Sequence, residues 1–290
     1  MPTYDTPQPI AVEIDLGAAD VRIVASERAD TALEVRPSDA SDESDVAAAR
    51  EVTVDLVAGA LQVAGPKSRL FTRKTRSVDV VVELPAGSAA AVHLQVGGVR
   101  AEGRLGACDI TVAAGGVHVE RVGTLRAKTS AGNVTAETVD GDATISTGSG
   151  RVRAGRIAGA ATIENANGHV VVDEVRGTAA LKSANGDLHL GRGGSDVVAR
   201  TSNGSVRLDE VVRGSVELAT AMGDLEVGVA AGTAAWLDVS TGFGHVHREL
   251  DGATRPESSD ETVEVRGRTR YGDIVVRRAG ATRAPAKELS

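Results

Sequence analysis

Four ionisable side chains near the C-terminal end carry the sharpest chemical possibility in this chain: Asp224 and Glu226, then His245 and His247. Each pair is spaced i, i+2, so on a β-strand both members point to the same side. If the two strands lie in adjacent positions, the four form a two-by-two patch of imidazoles beside carboxylates. Such a set can ligate a transition metal or supply a general acid and a general base for a hydrolase or lyase. The plainer reading is a solvated face whose charges stack by accident, since equivalent positions elsewhere hold Arg153, Val171, Arg207 and Val275. No metal, cofactor or catalytic residue is therefore assigned.

A second candidate is the segment containing Lys67, Arg69, Leu70, Phe71, Arg73, Lys74 and Arg76, which is basic in an otherwise acidic chain. Basic residues around an exposed apolar pair suit a macromolecular partner, either an acidic protein or the surface of an anionic membrane. The alternative is a hairpin loop solvated by its own charges. His118, His169 and His189 face outward without a histidine beside them and read as surface residues. The chain has no Gly-x-Ser-x-Gly elbow, no phosphate-binding Gly-x-x-x-x-Gly-Lys loop and no cysteine pair for zinc.

These side chains are positioned by a repeat. Glycines at 97, 115, 132, 150, 168, 186, 204, 223, 244 and 272 are each followed, two residues on, by an aliphatic residue, with gaps of 18, 17, 18, 18, 18, 18, 19, 21 and 28. That period is too short for a helix pair or a propeller blade and predicts stacked β-coils. Alternation with period two turns Val134 and Ala136 inward and Asn133 and Thr135 outward. A further inward row, seven, five and three residues before each glycine, reads Ala143, Ile145 and Thr147 in one coil and Val216, Leu218 and Thr220 in another. A second glycine series at 123, 141, 159, 177, 194 and 214 marks another turn halfway round, where glycine is expected to supply the backbone angles. The inward polar row from Thr129 to Thr241 is expected to satisfy turn amides, and Asn167, Asn185 and Asn203 to stack beside it.

Composition agrees. Aromatics are 2% and glycine numbers 34, as a narrow interior filled by Val, Ala, Leu, Ile and Thr requires. Strands about 4.8 Å apart make roughly ten coils a rod on the order of 50 Å long. The expected fold is all-β: a single-stranded parallel β-solenoid (β-helix) with coils of about 18 residues. Residues 1–90 form an irregular N-terminal β cap continuous with it, 91–278 the repeats, and 279–290 a disordered tail. The single cysteine, Cys108, falls in the inward register. The net charge of −8 argues against a general affinity for nucleic acid. No stretch has signal-peptide or membrane-span length, so cytoplasmic residence is expected. The turns lack the recurrent carboxylates of calcium-binding nonapeptide coils, with only Gly193-Gly194-Ser195-Asp196 coming near.

The repeats Ser183-Ala184-Asn185-Gly186-Asp187-Leu188 and Thr201-Ser202-Asn203-Gly204-Ser205-Val206, preceded by Val82-Glu83-Leu84-Pro85-Ala86-Gly87, resemble the bacterial family called domain of unknown function 4097. The stretch from Ile10 to Val24, the charged loop at 65–76 and the ending Thr269-Arg270-Tyr271-Gly272-Asp273-Ile274-Val275-Val276 are similar to its actinobacterial members, and 27 Arg against 5 Lys suits such a genome. The resemblance implies a β-solenoid and an adhesin label that is itself a fold-level analogy. It carries no activity to transfer. The function expected is thus a non-enzymatic interaction or scaffold protein for an unidentified macromolecule, with cytoskeleton-like self-assembly as the alternative and the histidine and carboxylate patch as a third course.

Overall fold

In the computed structural model, which describes residues 3–57, 59–65, 76–250 and 261–280, alternating aliphatic residues wind into coils of parallel β-structure. Each coil has a first face leading into the turn glycine and a second face leading away from it. Ala143–Ser149, Ala161–Asn167 and Ala179–Asn185 are successive first-face strands, while Val134–Val139, Val152–Ile157 and Val170–Val175 are successive second-face strands. Each pairs in register with its equivalent one coil on, as Ile145 with Ile163 and Val152 with Val170. The second-face ladder skips Glu137 and Gly155, where the chain bends before a short third side ending at Val139 and Ile157. Inward residues such as Ile145, Ile163, Leu181 and Leu208 are buried along the whole rod. Each such side chain contributes about 1.5–3 kcal/mol against an exposed reference. Cys108 is among them, and burial pushes its thiol up to about 12.

The two glycine series answer different demands. Gly115 has φ +146°, and a Cβ there would lie 1.8 Å from the Gly97 carbonyl oxygen, so neither its angle nor its space admits a side chain. In the second series only Gly214 has a positive φ. Gly141, Gly159, Gly177 and Gly194 are required by closeness instead: a Cβ on Gly177 would sit 2.5 Å from the Gly159 carbonyl oxygen. The inward polar row meets the expectation at Asn165, whose Oδ1 accepts the Asn167 N–H at 3.1 Å, but its side chains otherwise donate to turn carbonyls. Thr201 Oγ1 lies 3.1 Å from the Gly186 oxygen, and Asn165 Nδ2 lies 2.9 Å from that of Gly150. The expected asparagine stack is present, with Asn185 Nδ2 donating to Asn167 Oδ1 at 2.9 Å and Asn203 Nδ2 to Asn185 Oδ1 at 2.8 Å.

Both ends depart from chain order. Ala11–Ser26 forms a complete coil, with Ala19 at the turn. One side of it pairs with Ala60–Ala64 and Ser77–Pro85, the other with Ala89–Val96 and Val99–Ala114. The chain therefore begins one coil in, winds the outermost coil later, and then steps past its first coil to continue. Antiparallel strands close this end: Thr53–Val57 on Ala60–Ala64, Asp30–Pro37 on Ser77–Pro85, and Thr3–Asp5 on Asp30–Pro37. A helix, Glu43–Glu51, completes it, its N-terminus capped by the Asp42 carboxylate, which accepts the Ser44 N–H at 2.8 Å. At the other end Gly214–Met222 pairs with Thr262–Tyr271, which pairs in turn with Ala234–Phe243. The Gly272 coil is thus inserted between the Gly223 and Gly244 coils, and the Gly244 coil is terminal.

Candidate functional site

Insertion of the Gly272 coil takes apart the patch expected from Asp224, Glu226, His245 and His247. The pair Asp273 and Val275 stands between them, Val275 lying beside Glu226 on one side and His247 on the other. The register assumed from chain order fails because the chain makes the terminal coil before the one beneath it. Asp224 Oδ1 instead accepts the Asp273 N–H at 2.8 Å, and Asp273 Oδ1 accepts that of His245 at 2.8 Å. Glu226 accepts from Arg277 Nε at 2.8 Å, and Arg277 is buried beneath it. The rings of His245 and His247 are 6.1 Å apart at the open end. Among the described residues no cluster of three or more His, Cys, Asp or Glu side chains could hold a metal ion.

Of the basic loop, Arg76 is described, and Lys67, Arg69, Leu70, Phe71, Arg73 and Lys74 lie outside the described residues. Arg76 Nη2 donates to Glu51 Oε1 at 2.6 Å, which holds the Glu51 carboxyl below its ordinary range and ties that side of the loop to the capping helix. The three central histidines each meet an acidic neighbour: His118 Nε2 lies 3.7 Å from Glu137, His169 Nδ1 3.3 Å from Asp187, and His189 Nε2 2.7 Å from Asp209. Burial raises the Asp209 carboxyl, but bonds from Arg207 and His189 outweigh it and hold the group below its ordinary value.

The surface that sequence reasoning missed is apolar. The outward position occupied by Asn185 and Asn203 continues through Met222 and Tyr271 to Phe243, each in register with the next. Phe243 and Tyr271 stack with ring centroids 5.0 Å apart and an interplanar angle of 8°. Phe243 is 68% exposed, and Met222 and Tyr271 are exposed beside it. Trp236, 61% exposed, stands at the opposite end of the same Ala234–Phe243 strand. Tyr271 and Phe243 are 28 residues apart in sequence, and only the inserted coil makes them neighbours.

A family model described as Toastrack DUF4097 matches residues 11–278. No curated protein matches the chain. Among solved structures it is similar to a protein from Bacteroides fragilis named a "putative adhesin", over 95% of both chains with 12% identity and a TM-score of 0.36. A protein of the same description from Parabacteroides merdae matches over 95% of this chain and 94% of its own, with 13% identity and a TM-score of 0.36. A "putative lipid binding protein" from Parabacteroides distasonis matches over 95% of each, with 11% identity and a TM-score of 0.28. Likenesses at these scores transfer no function. No helix among the described residues is long and apolar enough to cross a membrane.

Proposed function

The chain belongs to the Toastrack DUF4097 family, and from that premise we propose that it is a non-enzymatic, adhesin-like interaction or scaffold protein whose rigid rod presents its outer strands to a macromolecular partner. The stripe of Met222, Tyr271 and Phe243 carries this reading. No aromatic side chain is among the buried core residues, and the rings of Tyr271 and Phe243 are exposed, so they serve no interior packing. Large aromatics held on a rigid element lose little conformational entropy on binding and supply much of the energy of protein contacts. The basic segment containing Lys67, Arg69, Leu70, Phe71, Arg73, Lys74 and Arg76 is retained as a second contact in the same proposal.

Copurification of the tagged protein from its native host at physiological salt tests it. Replacing Phe243 and Tyr271 together by serine should cut partner recovery at least about tenfold, the loss of roughly 1.4 kcal/mol or more that a central aromatic contributes, with the melting temperature little changed. Undiminished recovery removes the stripe from the interface, and deletion of residues 67–76 then decides whether the loop is the contact.

Self-assembly is the second reading, favoured by one observation. Among the described residues Ala234–Phe243 and Val246–Glu249 each pair on one side only, which leaves a strand edge open at this end. Arg248 works against continuous stacking there, because it is exposed at the position beside the inward Val276. Sedimentation velocity at rising concentration separates the cases: concentration-dependent association supports assembly, and a monomer throughout dismisses it.

A further inference from the structure

The residue after the turn position, Ala19 in the first coil and glycine in the others, follows a recurrent pattern. Its side chain accepts the backbone N–H of the equivalent residue in the next coil. Asp20 Oδ1 takes the Gly98 N–H at 2.8 Å, Asn133 Oδ1 that of Arg151 at 2.8 Å, and Asp187 Oδ1 that of Ser205 at 2.9 Å. Ser205 Oγ and Asp224 Oδ1 continue the series toward the C-terminal end. Gly98 and Gly116 interrupt it, having no side chain to offer. The N–H groups of Gly116 and Asn133 accordingly have no protein acceptor among the described residues. His169 N–H also lacks one, but it follows Arg151, a side chain that can only donate.

The gap left by the two glycines is a real space. A Cβ on Gly116 would meet nothing nearer than the Asn133 carbonyl oxygen at 3.6 Å. An open depression of about 550 Å³ lies there, bordered by Asp20, Arg22, Gly98, Arg100, Gly116 and His118. Arg22, Arg100 and His118 stand in register along its side. Arg22 is committed to Glu102 at 2.7 Å. Arg100 makes no hydrogen bond or ion pair among the described residues but stands near enough to Glu102 to help hold its carboxyl down, while His118 Nε2 lies 3.7 Å from Glu137. Asp20 and Asp79 also border the depression, each accepting one neutral donor, the Gly98 N–H at 2.8 Å and Ser38 Oγ at 2.7 Å, so a ligand carboxylate must sit toward the Gly116, Asn133 and Arg100 side.

We propose that this depression binds a carboxylate, whose oxygens take the Gly116 and Asn133 N–H groups in the place that an Asp or Asn side chain fills in other coils, with Arg100 and His118 alongside. The ligand is a small dicarboxylate or the acidic side chains of an extended peptide, two sources of one chemistry. Carboxylates suit the site because the repeat itself uses that group for this donor at Asp20, Asp187 and Asp224. The site stands apart from the aromatic stripe and holds whether or not that stripe is an interface.

The test is an amide-resolved NMR titration of the full chain at constant ionic strength, with succinate, a hexaglutamate peptide and inorganic phosphate as separate probes. Saturable shifts centred on the Gly116 and Asn133 amides with succinate or the peptide are expected. A response to both identifies the bare carboxylate as sufficient, and a response to the peptide alone identifies an acidic segment as the ligand. Arg100→Gln should weaken the response about tenfold, as loss of one charge-assisted hydrogen bond does. Gly116→Asp should abolish the Asn133 response while raising the melting temperature, because the new carboxylate completes the ladder. Absence of shifts at both amides, tighter binding of phosphate than of either carboxylate, or an undiminished Asn133 response in Gly116→Asp would overturn the proposal.

Discussion

Ser183 shows how strictly a coil constrains a single side chain. Its neighbours in the inward polar row, Asn165 and Thr201, donate to turn carbonyls, but the buried Ser183 Oγ has no partner. Ser183→Thr should place a β-branched hydroxyl as at Thr201 and gain about 0.5–1 kcal/mol, whereas Ser183→Ala should be nearly neutral and Thr201→Ala should lose about 1 kcal/mol. Urea midpoints of the three variants check this. Asp209 supplies a pH-dependent counterpart. Its native pKa is lowered from 3.8, so the stabilisation it gives is complete above the ordinary carboxylate range and is lost as pH falls through the lowered value. Asp209→Asn should lower the melting temperature at pH 7 by about 2 °C, a modest figure for a partly exposed group, and by less near pH 2, as the native carboxyl begins to protonate. An equal drop at both values would show that the effect is packing and not charge.

At the scale of elements the inserted coil decides the C-terminal end. Thr262–Tyr271 pairs on both sides, with Gly214–Met222 and with Ala234–Phe243, and Ile274–Arg278 does the same on the second face. A chain ended after Leu250 keeps every glycine up to Gly244 but removes the coil on which Ala234–Phe243 rests. Hydrogen exchange should then show the Trp236 to Thr241 amides unprotected, since the strand loses its partner among the described residues. Retained protection would mean that the Gly244 coil can dock directly on the Gly223 coil, as chain order suggests. At the N-terminal end the outermost coil rests likewise on Ala11–Ser26, but antiparallel strands back its other side and the Glu43–Glu51 helix completes the cap.

At the scale of the molecule, the described residues make twelve coils: ten turning at glycine, the Ala19 coil and the outermost N-terminal coil. At about 4.8 Å per coil the rod is roughly 55 Å long. Each coil contacts only its neighbours, so stability is close to a sum of nearest-neighbour terms. Native-state hydrogen exchange should accordingly be slowest around Ile145, Ile163 and Leu181, and should quicken toward Ala234–Phe243 more than toward the closed N-terminal end. Uniform protection along the rod would contradict nearest-neighbour stability and indicate one cooperative unit.

The interior of this rod follows from local pattern alone. Period-two alternation and an 18-residue recurrence are sufficient to specify inward rows, turn glycines and in-register parallel pairing, because each coil need only match a near-copy of itself. The asparagine stack and the inward placement of Cys108 were legible for the same reason. Coil order at the ends was not, since a segment can pair with any coil of matching register and chain order does not say which. Tertiary structure alone placed Asp273 between Asp224 and His245, dissolving one candidate site. The same insertion brought Tyr271 against Phe243 and made a surface from residues 28 apart.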